Sequence, residues 1–580
     1  MRRYSHSRKE KHPSLERIGV LRILLMIFSL AIIARLAHVQ LFQNEFYTAL
    51  AEGQHTLFEQ LQPTRGEIYV REDGELYPLA ANKDYYEVYA VPSNIHEPEE
   101  TAKALQEHLE LEDEEILPRL SKKGDLYEPV ATQVEEEVVN KLREMELEGI
   151  GFRREVHRYY PEKNIGSHLI GFVGFQDDKR VGQYGLEGYW NEDLAGTQGF
   201  LEADRDASGR WITVGSKTLE DKKDGDSLVL TIDRTIQYKA CAELNAAVEK
   251  HGASSGSLVI MEPSTGKILA MCGSPDYDPN TYNEVEDINV YLNPSTYYLY
   301  EPGSVFKPLT MAAALNEGKV TPNSTYEDTG SVEIGKYTIR NSDGKAHGIN
   351  TMTQVLEKSL NTGAIFAARQ IGPEKFEEYV KRFGFGELTG VQVDSELNGD
   401  ISTLARHSEI FMATASFGQG ITVNPIQLVA AFGAIANDGI LMKPYVIDEV
   451  IKSDGTSIMA EPEAVREVIT PETAAKLSAM LANVVQNGHG QRAGVDGYFV
   501  AGKTGTAQIP LEGAVGYDPN QTIGSFIGFA PVDDPKFVML AKIDRPQDVQ
   551  FAESSAAPLF GRVAAFLLPY MGVAPTDTSP

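Results

Sequence analysis

Basic charge, cysteine and clustered histidine are what this 580-residue sequence has least of. Its 53 lysines and arginines face 83 acidic residues, a formal net charge of −30. That balance argues against nucleic acid as a partner, because phosphates are met by a basic stripe. The two cysteines, Cys241 and Cys272, are too few for a disulfide framework or a CxxC metal cluster. Both lie in apolar runs (YKACAEL and LAMCGSP) and read as small buried residues, with a single bridge as the alternative. The 12 histidines show no HExxH or comparable ligand spacing, so no catalytic metal and no cofactor are expected.

The chain is too long for one ordinary core, and a hydrophobic fraction of 42% marks it as globular over several domains. Residues 1–17 form a basic tail, with Arg2, Arg3, Arg8, Lys9, Lys11 and Arg17 against Glu10 and Glu16. Ile18 to Ala34 is apolar except for Arg22 and Ser29. With its flank, 18–40 reaches the roughly 20 residues that cross about 30 Å of hydrocarbon. A single uncleaved span is expected, with the tail cytoplasmic, lipid around the span and the rest exported. No small-residue A-x-A site closes the run, and Arg35 stands where a signal peptidase would cut. Arg22 is placed to snorkel to the cytoplasmic interface.

From 41 to 226 short strand-like runs mix with charged helical ones. RGEIYVREDG (65–74) alternates and ends in a glycine turn, and the Glu-rich stretch at about 97–150 reads as an inserted helical lobe with solvated acidic faces. No nucleophile with a partner occurs there. A second domain is expected over 227–570, with 571–580 as a tail. The strand SLVLTID, a helix to His251, and the hairpin SGSLVIMEP/GKILAMCGS lead through a tyrosine-rich loop to a long helical section, and strands return at the end. This order predicts an α+β or α/β sandwich with an antiparallel sheet, and a multi-domain α+β chain overall.

Three short elements carry the chemistry. In YEPGSVFKPLT, Ser304 and Lys307 stand three apart where a helix opens, so hydroxyl and amine share a face. Burial at the positive end of a helix disfavours the ammonium and leaves an amine able to take the serine proton. The same helix terminus offers N–H groups to an oxyanion. Spacing alone is weak evidence, since Ser264/Lys267 and Ser342/Lys345 repeat it in glycine turns. In KSLNTG, Ser359 and Asn361 fall at the break between two helical patterns, where both side chains can face a cleft. In YFVAGKTGTAQ, a strand places Lys503 and Gly505 on one face. Gly505 lets an extended substrate approach the strand edge, and Thr504 and Thr506 offer hydroxyls to a carboxylate that Lys503 attracts.

The ordered set Ser-x-x-Lys, Ser-x-Asn, Lys-Thr-Gly is shared by penicillin-binding proteins and serine β-lactamases. With their flanks, YEPGSVFKP, SLNTG, SFGQGITVNPIQL and VAGKTGTAQ resemble the transpeptidase domain of class B penicillin-binding proteins. RGEIYVREDG and GLEGYWNEDLAGTQG resemble the elongated α+β pedestal, or dimerisation, domain of that class. Departures are Leu360 in the middle motif, VREDG where Asp-Arg-Asn-Gly is common, and the loop HGQR at 489–492.

The resemblance implies a peptidoglycan D,D-transpeptidase. Ser304 would attack the penultimate D-Ala carbonyl of a stem peptide with Lys307 as base, and Ser359 would relay a proton to the departing D-Ala. Asn361 would bind the substrate amide, Lys503 would orient Ser359 and contribute to carboxylate binding, Gly505 would let the substrate pair along the strand, and Thr504 and Thr506 would hold the terminal carboxylate. The N–H groups of Ser304 and Thr506 would form the oxyanion hole. Implied partners are nascent stem peptides, β-lactam antibiotics and a SEDS-type membrane glycosyltransferase. A bifunctional class A protein is excluded because pedestal-like sequence already fills the space between span and catalytic domain. The alternatives are a non-catalytic scaffold activating that glycosyltransferase and a protein that senses or hydrolyses β-lactams.

Overall fold

The computed structural model describes residues 26, 28–30, 32, 56–109, 111, 113–122, 124–177, 179–204, 217–511 and 516–576. The basic tail lies outside the described residues. So does the expected span at 18–40, except for Met26, Phe28, Ser29, Leu30 and Ile32, which are helical. No helix among the described residues is long and apolar enough to cross a membrane.

The chain divides into two compact units, 1–63 with 197–223, and 64–196 with 224–580. In the first, Gly199–Asp204 runs antiparallel between Thr56–Leu61 and Lys217–Glu220.

The second unit holds two larger sheets. One runs in the order Ser457–Met459, Ile447–Ile451, Ser227–Leu230, Ile68–Glu72, Glu75–Ala90. The alternating run RGEIYVREDG forms the strand Ile68–Glu72, and Asp73 and Gly74, both at positive φ, turn the chain back. At 16 residues, Glu75–Ala90 outruns that partner. Its far end pairs with Glu128–Val134 and Ile150–Tyr159. The helices Pro98–Gln106, Asp113–Leu120 and Glu136–Glu144 close this end over their own small core, which includes Val88, Leu105, Ile116, Val139 and Leu142. The outer acidic faces of Pro98–Gln106 and Glu136–Glu144 stay in water, and Glu99, Glu100, Glu136 and Glu137 sit in first turns, where a carboxylate favours the helix dipole. Ser227–Leu230 joins this sheet, parallel to Ile68–Glu72.

The second sheet is antiparallel throughout, in the order Ile268–Ser274, Ser255–Met261, Phe537–Asp544, Tyr517–Ala530, Ala501–Pro510. The expected hairpin forms one edge and the Lys503 strand the other. Leu258 and Ile260 face the helices Arg234–Lys250 and Ala556–Tyr570, whereas Val259 and Met261 face the core shared with the central helices. Burial on both faces explains why these strands are apolar at nearly every position.

The cysteines correct the preferred reading. Cys241 on the helix Arg234–Lys250 and Cys272 on the edge strand are bonded to each other, with Cα atoms 5.3 Å apart, inside the bridging range. Beside them the Gln237 carboxamide donates to Met271 O and accepts from Met271 N, both at 2.8 Å.

Candidate active site

The chain enters the site through a 3-10 turn, Gly303–Phe306, that runs into the helix Lys307–Asn316. Pro308 occupies the first helical turn, where its fixed φ fits and its missing N–H has no intrahelical role. Every residue from Val305 to Leu315 is buried, so the turn is held by packing on all sides. Gly303 adopts φ +61° and donates to Gly418 O at 3.0 Å. The SFGQG loop lies so close that a Cβ at Gly418 would stand 2.2 Å from Gly303 O. Just ahead, the half-buried Glu301 accepts from Gly420 N at 2.9 Å and from the Tyr517 hydroxyl at 3.0 Å. Nothing local in the sequence links Glu301 to Tyr517, which lie more than 200 positions apart.

Two lysines from distant segments meet at Ser359. Lys307, 1% exposed, donates to the carbonyl oxygen of Ser359 and to its Oγ at 3.2 Å. Lys503, fully buried, donates to the same Oγ at 3.0 Å and to Thr504 O at 2.9 Å. Ser359 sits between the helices Met352–Glu357 and Asn361–Ile371 at φ +54°, a left-handed conformation that is strained for serine. That conformation turns its carbonyl and hydroxyl toward Lys307 together. The hydrogen bond expected between Ser304 and Lys307 is not formed: the amine is engaged by Ser359, and the half-buried Ser304 hydroxyl has no hydrogen-bond partner among the described residues.

The electrostatics follow from burial. Lys307 lies well below the ordinary lysine range, first because it is desolvated and then because Lys503 carries like charge nearby. Burial brings Lys503 down to about 7, with the Glu553 carboxylate pulling the other way. The cluster thus favours one neutral amine and one cation bridged by a hydroxyl.

The Lys503 strand packs against the turn that carries Ser304. Gly505 is opposed by Ser525 in the ladder, and a Cβ on it would lie 2.8 Å from Val305 Cγ1 and 3.0 Å from Pro302 O. The strand edge and the Ser304 turn therefore touch at this glycine. Thr506 Oγ1 accepts from Ala552 N at 3.1 Å, and Thr504 Oγ1 accepts from Lys503, so both hydroxyls keep a proton to donate. Asn361, at the start of its helix, donates from Nδ2 to Arg340 O at 2.9 Å. The chance repeats lie apart from this cluster: Lys267 pairs with Asp448 at 2.7 Å, and Lys345 is exposed just after a turn.

Comparison with known proteins gives the family. The sequence matches the penicillin-binding protein transpeptidase domain over residues 256–565 and the penicillin-binding protein dimerisation domain over residues 60–230. Stage V sporulation protein D of Bacillus subtilis is 35% identical over 558 residues, covering 95% of this chain and 85% of that protein. The probable peptidoglycan D,D-transpeptidase PenA of Neisseria meningitidis is 29% identical over 572 residues, covering 98% and 95%. Penicillin-binding protein 3 of Mycobacterium tuberculosis, crystallised with aztreonam, matches the fold with a TM-score of 0.69 at 25% identity over 90% of this chain and 100% of that one. With a dimerisation domain followed by a serine transpeptidase domain, the chain belongs to the class B penicillin-binding proteins.

Proposed function

We propose that this protein is a peptidoglycan D,D-transpeptidase that works through an acyl-enzyme on Ser304 and is a target of β-lactams. The observation that carries the reading is the convergence of Lys307 and Lys503 on Ser359 Oγ, beside a turn that presents an uncommitted serine hydroxyl. A stem peptide laid along the edge of Ala501–Pro510 places its terminal carboxylate at Thr504 and Thr506, near the Lys503 cation. Ser304 Oγ attacks the penultimate D-Ala carbonyl as its proton passes to neutral Lys307. The oxyanion is met by the N–H groups of Ser304 and Thr506, each worth about 3 kcal/mol in such sites. The peptide C–N bond breaks as Ser359 hands on a proton to the departing D-Ala nitrogen and recovers one from Lys307. An amine of a second stem then attacks the ester and loses a proton along the same route, and Ser304 Oγ is released protonated.

Anchoring through 18–40, with the catalytic domain outside the membrane, belongs to the same proposal and is supported by the apolar run and its basic flank. A membrane glycosyltransferase as partner is proposed on the pedestal match. The test is intact-mass measurement and peptide mapping after exposure to benzylpenicillin. One stable penicilloyl group on the peptide containing Ser304, absent from Ser304→Ala, is expected. An adduct elsewhere, or none, refutes the assignment, and rapid turnover of the adduct would make the protein a β-lactamase.

A further inference from the structure

Behind Ser359 and Asn361 lies a buried polar cluster that the chemistry above does not use. Asp328, 2% exposed, ends the strand Thr325–Asp328, and its carboxylate has no ion-pair partner among the described residues. Four donors fill it instead. Oδ1 accepts from Gly330 N at 2.9 Å and from the Thr362 hydroxyl at 2.8 Å. Oδ2 accepts from Asn341 Nδ2 at 2.8 Å and from His347 N at 3.0 Å.

Two of these donors lead to the site. Thr362 follows Asn361 in the first turn of its helix, and its own N–H donates to Asn341 Oδ1 at 3.2 Å, closing a ring Asp328–Asn341–Thr362. Asn341 follows Arg340, whose carbonyl holds Asn361 Nδ2. Asn361 is thus fixed at its backbone through Thr362 and at its side chain through Arg340, and both supports rest on Asp328.

We propose that Asp328 is a positioning residue for the transpeptidase reaction: through Asn341 and Thr362 it sets the orientation in which Asn361 meets the substrate's backbone amide. This rests on the reading of Asn361 as the amide-binding residue. The chemistry calls for a carboxylate at 328, because only an acceptor on both oxygens satisfies four converging donors. An asparagine there turns one oxygen into a donor that faces donors.

The test compares acylation by benzylpenicillin, which carries a side-chain amide, with acylation by 6-aminopenicillanic acid, which does not, using the full chain and its variants. Asp328→Asn, which leaves a buried donor unmet, and Thr362→Val, which takes a donor from the Asp328 carboxylate, are expected to slow benzylpenicillin about 10-fold, while 6-aminopenicillanic acid stays within about twofold. Thr362→Ser, which keeps the hydroxyl, retains the wild-type preference. In an Asn361→Ala background, Asp328→Asn has no further effect. Equal slowing of both β-lactams, or full additivity with Asn361→Ala, overturns the proposal and leaves Asp328 a fold-stabilising residue only. If Asn361→Ala itself leaves benzylpenicillin acylation unchanged, the amide-binding reading fails and this inference falls with it. Should Asp328→Asn not fold, the Thr362→Val and Thr362→Ser pair decides alone, because both leave Asp328 in place.

Discussion

Replacing Gly505 by alanine tests whether the strand edge and the nucleophile turn form one groove. The added Cβ would stand 2.8 Å from Ser525 Oγ and from Val305 Cγ1, and 3.0 Å from Pro302 O. Carbon–carbon contacts settle at about 3.5–4.0 Å. The turn and the strand must therefore separate by roughly 0.7 Å or more if the backbone is to accept the methyl group. The sheet cannot absorb that shift, because Gly505 is laddered to Ser525 and that strand in turn to Phe537–Asp544. The turn carrying Ser304 has to move, and the N–H groups of Ser304 and Thr506, the proposed oxyanion donors, move apart with it. A misplacement approaching 1 Å costs about 10²-fold in rate, similar to losing one oxyanion donor. Overpacking of this kind destabilises by about 1–3 kcal/mol. The assay is the second-order acylation rate with a fluorescent penicillin, alongside thermal unfolding of the same preparation. Gly505→Ala is expected to fold with a lowered Tm and to acylate about 10²-fold more slowly. An unchanged rate in the folded variant would mean that strand and turn do not act as one site.

Four further outcomes are expected. The pH profile of acylation rises as Lys307 loses its proton and falls above about 7 as Lys503 loses its own; Lys503→Arg keeps a cation and removes the falling limb. Because the unfolded chain holds more protons than the folded one between about 7 and the ordinary lysine range, stability rises with pH across that window, which denaturant titrations at several pH values check. The paired variant Cys241→Ser, Cys272→Ser loses a crosslink spanning 31 residues and about 3–4 kcal/mol of stability by loop-closure entropy, with acylation unchanged. Glu187 is wholly buried between Arg65 at 2.6 Å and Arg158 at 2.7 Å; burial pushes its pKa up, but the two guanidiniums outweigh that and hold it below the ordinary carboxylate range. Glu187→Gln leaves two arginines uncompensated and is expected to destabilise by about 3–5 kcal/mol in denaturant titration at neutral pH.

The features that were readable in advance are those with a local signature. The Ser304 turn, the Ser359 break and the Lys503 strand each announce themselves by punctuation and periodicity, and the hairpin at 255–274 by two apolar runs around Ser-Thr-Gly. What stayed hidden depends on residues far apart in the chain. The Cys241–Cys272 bridge needs a helix laid over a strand, and apolar flanks look alike around a bonded and an unbonded cysteine. The partner of Lys307 could not be read from helical spacing, because it depends on the left-handed backbone of Ser359, 52 residues away. Ser227–Leu230 carries the ordinary pattern of a strand, yet its parallel pairing with Ile68–Glu72 is a property of the assembled sheet. Asp328 stands in an unremarkable polar run and acquires its four donors only in the fold.

The most direct test of the central claim, that a neutral Lys307 amine takes the proton of Ser304, is the acylation rate of Lys307→Met at fixed pH with benzylpenicillin. Methionine fills nearly the same volume but accepts no proton, and the expected result is a folded protein slowed by 10²-fold or more, in line with the loss of a general base, roughly 10²–10⁴-fold. A rate within about twofold of wild type would contradict the account.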